Sequence, residues 1–297
     1  MEEIRPGALP DPKDDRDYEA PLGGGVTVDW SKEFRLPEPP PFDQKSSDSC
    51  VACAWSYYHW QLKSKTFSKR DLFCRIALAY GAYIRDGGLA LVKEGQADNK
   101  EVKDPLSPTP TNMRDKTGTK AEFRIDDQEF NSFTLPQQDI DGIAWGIKEY
   151  KGVVFGVNGT NTGWKDMKYP EPPSSYDQNV WGHALYAMGY HTCTNGEKCI
   201  IAKSSWSATN EHHIRRTYFT SGNTFSAWTL IPKNKDTMKL VKENGTVFIT
   251  AGVNNKVKLG IADMETLALF GDEPVIDGVA EGTHSWTVSK GFILNKE

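Results

Sequence analysis

Two cysteines three apart, in the stretch DQKSSDSCVACAW, are the residues of this 297-residue chain best suited to covalent chemistry. Cys50 and Cys53 could hold a metal, form a redox pair, enter a disulfide or supply a nucleophile at the start of a helix. Zinc needs a second ligand pair. Cys193 and Cys199 have five residues between them and His212 and His213 are adjacent, so neither pair completes a finger or ribbon pattern, and no metal site is expected. A thioredoxin-type motif follows a strand in a short βαβ unit, whereas LPEPPPFDQ precedes these cysteines and is too proline-rich for that setting. Two inert cysteines buried in a helix are the bland alternative. The nucleophile reading has a physical basis. Unpaired N–H groups and the helix dipole stabilise a thiolate at a helix N-terminus. A histidine from elsewhere can hold it as a thiolate–imidazolium pair. WGHALYAMGY offers His183 at the start of an apolar strand.

Placing that sulfur requires a helix that begins at Cys50. Val51, Ala52, Ala54, Trp55, Tyr58 and Leu62 recur at helical spacing, and Ser46, Ser47, Asp48 and Ser49 before them are residue types favoured at helix starts. SKRDLFCRIALAYGAYIRDGG predicts a second helix, with Ser68 as its cap and Gly87-Gly88 as its stop. Residues 95 to 135 are polar and turn-rich. QQDIDGIAWGIKEY predicts a third helix with Ile140, Ile143, Ala144 and Ile147 on one face. The pattern then turns to strands: GVVFGVNG, GHALYAMGYH, KCIIAKSSW and AWTLIP. Helices first and strands later imply an α+β architecture of two lobes, a helical lobe and an antiparallel β lobe.

Three regions follow from composition. Residues 1–30 form an extended, proline-rich arm expected to lie along the surface of the main domain, 31–232 form that domain, and PKNKD is a polar linker. Residues 237–297 form a small β-rich module with hairpin signals at ENGT and VNNK and a short helix at ADMETLALFG. His284 and Trp286 in that module could belong to a ligand surface, although such residues more often pack at a rim.

Composition also excludes classes of function. The net charge of -5 argues against a nucleic-acid partner. No apolar run is long enough to span a membrane, and the acidic N-terminus lacks the apolar core of a signal peptide, so a cytoplasmic location is the default expectation. Five cysteines are not a disulfide framework. Cys193 and Cys199 flank the turn TNGEK and are either a hairpin-closing disulfide or two reduced cysteines on neighbouring strands. Cys53 and Cys74 are expected as buried thiols or as a bond between helices.

Several segments, in order, resemble the papain family of cysteine peptidases in a divergent microbial form. They are LPDPKDDRDY, VDWS, PFDQKSSDSCVACAWS, FSKRDLF, DGG, GVVFGVNG, WGHALYAMGY and IAKSSWSATN, spanning about residues 9 to 231. The resemblance implies a papain-like two-lobed fold and a cysteine endopeptidase acting on protein or peptide substrates without a cofactor. Its oxyanion-hole glutamine precedes the nucleophile by six residues, which selects Gln44 and Cys50 over Cys53. His183 is implied as the base, Gly87 and Gly88 as the pair that binds the substrate backbone, and Trp206 as the shield of the histidine. Ser204 stands where the family has the asparagine that orients the imidazole. Lys45 and Asp48 replace residues around the glutamine, and Asp48 so close to Cys50 is expected to disfavour a thiolate unless Lys45 offsets it. The arm is too short for the family's long inhibitory propeptide, which implies that the protein is not a conventional zymogen. Two other functions share the same residues. One is a catalytically weakened papain-like binding or structural module, with a partner contact on the C-terminal module. The other is an amidase acting on cell-wall peptides.

Overall fold

The computed structural model describes residues 7–15, 17, 19–20, 28–125, 130–206 and 211–232, together with the backbone of four further strands between residues 239 and 277. The chain divides into two units, one made of Met1–Leu22 and Val26–Ile231, the other of Gly23–Gly25 and Pro232–Glu297.

In the first unit two short strands, β1 (Ala8–Leu9) and β2 (Phe34–Arg35), precede helix α1 (Cys50–Lys63). Its first ten residues, Cys50 to His59, are all buried, so α1 is a central helix rather than an amphipathic surface one. It ends at Ser64, which takes a left-handed conformation and returns its N–H to the Trp60 carbonyl at 2.7 Å. The predicted second helix is two. Helix α2 (Lys69–Ile76) starts as expected, with the Ser68 side chain accepting the Asp71 N–H. The chain then turns at Gly81, forms β3 (Ala82–Tyr83) and continues as α3 (Ile84–Glu94). Gly87 and Gly88 lie inside α3 and stop nothing; the turn that interrupts the apolar periodicity is at Gly81, where φ is +63°.

The polar region that follows holds β4 (Gln96–Ala97), a short α4 (Pro110–Met113) with a Thr109–Asn112 capping box, β5 (Arg124–Ile125) and β6 (Phe130–Leu135). The predicted third helix is α5 (Ile140–Tyr150), capped by Asp139. The four predicted strands are β7 (Val153–Gly159), β8 (Trp181–Thr192), β9 (Lys198–Lys203) and, after β10 (Glu211–Arg215) and α6 (Arg216–Thr220), β11 (Thr224–Pro232). They form one sheet in the order β10-β9-β8-β7-β11-β6, with β2 also paired to β8. The neighbours β7–β8, β8–β9, β9–β10 and β7–β11 are antiparallel.

One core joins α1 to the sheet. Cys50, Ala54, Trp55 and Tyr58 pack with Val154, Ala184, Tyr186, Met188, Phe225 and Trp228. The buried polar tips are satisfied, as close packing in a dry core requires. Trp55 donates to the Ile84 carbonyl at 2.8 Å, and Tyr58 to the Tyr150 carbonyl at 2.6 Å. This is an α+β fold in which one central helix leans on an antiparallel sheet.

The second unit carries a sheet of β14 (Val257–Gly260), β13 (Thr246–Ala251), β12 (Lys239–Glu243) and β15 (Ile276–Asp277), in that order. The β12–β13 pairing, from Lys239↔Thr250 to Glu243↔Thr246, is antiparallel. Most of the ENGT and VNNK turns, the helix expected at 262–271, His284 and Trp286 lie outside the described residues. Among the described residues no helix is long and apolar enough to cross a membrane.

Candidate active site

Cys50 is the first residue of α1. The Ser49 side chain does not cap the helix; its hydroxyl lies 2.8 Å from Ser47 Oγ and 3.7 Å from Cys53 Sγ. The first-turn N–H groups are therefore not taken by the residue that most often takes them. The main chains of Ala184, Gly7 and Val51 face the Cys50 sulfur and act to lower its pKa. Ala184 follows His183 on β8. The start of α1 therefore lies against the strand that carries His183.

His183 sits opposite Val157 of β7 and is fully buried. Trp206 stacks on its ring with centroids 3.6 Å apart and planes 19° apart. Trp164 meets the His183 ring edge-on at 6.1 Å and Trp206 at 5.3 Å, and Trp181 packs on both tryptophans. Trp206 covers one face of the His183 ring, and Trp164 and Trp181 extend that aromatic wall. Neither His183 ring nitrogen has a hydrogen-bond partner among the described residues. Two orphan nitrogens in a dry aromatic box are costly, and such exceptions concentrate where a group is kept for chemistry.

Gln44 is fully buried and tightly held. Its amide nitrogen donates to the Ser47 carbonyl at 2.6 Å, its side-chain oxygen accepts from the Ser205 hydroxyl, and its main-chain N–H donates to the Ser205 carbonyl at 2.8 Å. The loop before α1 is fixed by these bonds to the segment that carries Trp206. Tyr57 adds to the tie by donating to the Ser204 carbonyl at 3.2 Å. Lys45 adopts φ +50°, the left-handed conformation that glycine takes most easily.

Three expectations are corrected here. Ser204 does not bond His183; its hydroxyl accepts the Trp206 N–H at 2.9 Å, because a serine side chain is short and the nearer amide takes it. Gly87 and Gly88, expected to bind a substrate backbone, lie within helix α3. A Cβ at Gly87 would stand 2.2 Å from the Trp55 ring and one at Gly88 2.8 Å, so both let α3 close on α1. Lys45 does not offset Asp48, since it pairs with Asp43 at 2.8 Å. Arg114 holds Asp48 instead, at 2.8 and 2.6 Å, and the Asp48 carboxylate also accepts the Gly81 N–H at 2.7 Å. Burial opposes the Asp48 charge, but Arg114 and Gly81 outweigh it and hold the carboxyl below its ordinary value.

The arm is corrected in part. Its first described residues, Gly7 and Ala8, are buried against the main domain, while Pro10, Pro12, Lys13, Asp15 and Glu19 lie on the surface as expected. Strand β1 pairs in parallel with β3, Ala8 against Ala82 and Leu9 against Tyr83. The Gly7 carbonyl accepts the Ala82 N–H at 2.8 Å. A Cβ on Gly7 would fall 2.0 Å from the Asp48 carbonyl oxygen, and one on Gly81 2.0 Å from the Gly7 oxygen. Asp11 then crosses between elements. It accepts the Arg85 N–H of α3 at 3.0 Å and the Trp228 indole N–H of β11 at 2.6 Å, while its own N–H donates to Ser226 at 2.8 Å. Arg85 pairs in addition with Asp14 and Asp17. Gly7 and Asp11 carried no spacing signal, because an extended segment has no periodicity to read.

Cys50 has no solvent exposure under this cover. Burial and the nearby Asp48 charge push its thiol up to about 12, against the lowering effect of the Ala184 and Gly7 main chains. Burial, with the His212 charge, pushes His183 well below its ordinary value. Both shifts favour the uncharged form of the group.

No protein-family model matches the chain and no curated protein matches its sequence. Solved structures resemble it in fold. Xylellain, a cysteine protease from Xylella fastidiosa, is 20% identical with a TM-score of 0.61 over 77% of this chain and 98% of its own. Procathepsin B S9 from Trypanosoma congolense is 12% identical, TM-score 0.56, over 77% of this chain and 87% of its own. Bromelain from Ananas comosus, in complex with the E64 inhibitor, is 13% identical, TM-score 0.53, over 69% of this chain and all of its own. The first unit has the papain-like fold.

Proposed function

We propose that the chain is a cysteine-type endopeptidase whose Cys50–His183 pair is masked at rest by its own N-terminal arm. The observation that carries this reading is the sulfur at the head of α1, faced by the main chain of the residue that follows His183, whose ring nitrogens have no partner among the described residues. The papain-like fold, and the cysteine proteases that share it, support it further.

In this reading the arm leaves and an extended peptide takes its place along Ala82–Tyr83. Cys50 gives its proton to His183 and attacks the scissile carbonyl as a thiolate. His183 protonates the leaving amine and then activates the water that hydrolyses the thioester. The Gln44 amide and the Cys50 N–H stabilise the oxyanion, a contribution of about 10²–10³ in rate per donor. Ser204 acts as a positioning residue through Trp206. The docked arm is not a substrate, since its Gly7 main chain faces the sulfur while the Gly7 carbonyl is held by Ala82.

The test is a chain lacking residues 1–20, treated with a thiol-directed epoxide and assayed on casein. The expected outcome is covalent labelling and turnover, both abolished by Cys50→Ala. A second reading, a weakened papain-like binding module, is favoured by the absence of any hydrogen bond from Ser204 to His183. Labelling without turnover would select it. Cleavage of muropeptides but not casein would select the amidase.

A further inference from the structure

Far from Cys50, the end of the same strand carries a second cluster of reactive side chains. His191 lies opposite Cys199 of β9, and Cys199 lies opposite Arg215 of β10. Directly paired residues share a sheet face, as do residues two apart along a strand. His213, two before Arg215, and Cys193, two after His191, therefore join His191 and Cys199 on one face. Cys193 and Cys199 are joined as a disulfide. His191 Nε2 faces His213 Nδ1 at 2.6 Å and stands 3.6 Å from Cys193 Sγ. The ligand atoms of His191, Cys193 and His213 all lie within 4.8 Å of one another.

The tautomers are set from outside the cluster. His213 Nε2 bonds the Glu211 carboxylate at 2.9 Å, and Arg35 holds that carboxylate at 2.8 Å. An ionised carboxylate can only accept, so His213 donates from Nε2 and its Nδ1 presents a lone pair to His191. A carboxylate behind one nitrogen of an imidazole, with the other aimed inward, is how metal-ligating histidines are supported. Tetrahedral zinc, with bonds of about 2.0–2.1 Å to nitrogen and 2.3 Å to sulfur, asks for N···S separations near 3.6 Å. The His191–Cys193 separation already meets that.

We propose that, once a dithiol has reduced the Cys193–Cys199 bond, His191, Cys193, Cys199 and His213 bind one zinc ion in a closed tetrahedral site. Reduction transfers two electrons and two protons from the dithiol, which becomes its own disulfide. The two thiols lose their protons as the metal enters, and His191 moves its Nε2 proton to Nδ1. Two thiolates and two neutral imidazoles leave the site with no net charge. Two sulfur and two nitrogen ligands in this geometry favour zinc over magnesium or calcium. Cys199 and Cys193 are buried and His213 is nearly so, which leaves no open position for a substrate, so the ion is structural. It would join β8, β9 and β10, and the disulfide and the ion are alternative staples of one hairpin.

The experiment uses the full chain with Cys50→Ala, so that the candidate nucleophile cannot bind the probe. One sample is kept oxidised. The other is reduced with dithiothreitol, desalted without oxygen, loaded with zinc chloride, desalted again and analysed for metal. One zinc per chain is expected in the reduced sample and none in the oxidised one. Cobalt in place of zinc should give the intense visible bands and sulfur charge transfer of a tetrahedral thiolate site. His191→Ala and His213→Ala should each abolish stoichiometric loading, and Glu211→Gln should weaken affinity about 10–100-fold. If a histidine variant fails to fold, the cobalt spectrum of the parent still decides. Reduced chain that holds no zinc, a six-coordinate cobalt spectrum, or loading indifferent to His191 and His213 would each overturn the proposal.

Discussion

At the scale of single residues, the candidate site is a buried sulfur on α1 and a buried ring on β8. With the Cys50 thiol raised to about 12, only about one molecule in 10⁵ is thiolate at pH 7. Iodoacetamide should therefore alkylate Cys50 of the intact chain far more slowly than a peptide cysteine at that pH. The rate should climb with pH, because the raised thiol favours the covered state below its ordinary value and withdraws that support above it. Mass mapping of the modified residue checks this, and fast neutral-pH alkylation of Cys50 in the intact chain would contradict it. A second residue-scale prediction concerns Ser204, whose hydroxyl is spent on the Trp206 N–H while His183 keeps two bare nitrogens. Ser204→Asn brings a longer side chain with an acceptor. In arm-free enzyme it should raise kcat about tenfold and leave KM unchanged, since it orients a base and does not touch substrate. An unchanged kcat would mean that the ring is oriented by packing on Trp206 alone. Cys50, His183, Gln44 and Trp206 could be singled out in the sequence because motif spacing points to them. It could not disclose what Ser204 bonds, since a hydroxyl takes whichever donor the fold brings nearest.

Elements decide how the pair is covered. Helices α1 and α5 and the strands of the main sheet were readable, because each has a buried face at its own period. The break between α2 and α3 was not, since Leu78, Ala82 and Ile84 prolong the apolar run through Gly81. The arm was unreadable for a different reason: it is held by single contacts spread over distant elements. Gly7 and Asp11 are the two that matter most. Gly7→Val should free the arm, since even a Cβ there falls 2.0 Å from the Asp48 carbonyl. Epoxide labelling of Cys50 in the otherwise intact chain should then rise. Asp11→Ala removes two acceptor contacts, each worth about 1.5–3 kcal/mol for a charged group, so labelling should rise about 10²–10⁴-fold. Burial raises the Asp11 carboxyl above its ordinary value, against the hydrogen bonds from Arg85 and Trp228. The docked arm thus holds that proton more tightly than the free arm. Docking is favoured below the ordinary value and weakens as pH rises through the raised one. Asp11→Asn, uncharged throughout, should flatten the pH dependence of labelling in that window. If labelling of the wild type falls there as pH rises, Asp11 is not the tether.

For the whole molecule, the arm is both a lid and part of the core, and the two roles make opposite demands on a truncation. Ala8 is buried in the cluster that holds Cys50, Trp55, Ala184 and Phe225, and its carbonyl lies 2.3 Å from where a Cβ on Gly182 would stand. Deleting residues 1–20 removes that packing, the Asp11 bonds and the Arg85 ion pairs together. The truncated chain should therefore unfold several degrees lower than the intact one, while its labelling rate rises by more than either single arm variant achieves. Both should be read on the same sample, by thermal unfolding and by epoxide labelling. The two-lobed papain-like frame itself should survive, because α1, the sheet and the Gln44–Ser205 tie do not depend on the arm. A truncated chain that keeps its melting temperature and its unreactive Cys50 would show that the burial of the sulfur comes from the two lobes themselves. The masked-enzyme reading would then fall, and the covered pair would be a permanent feature of a binding module.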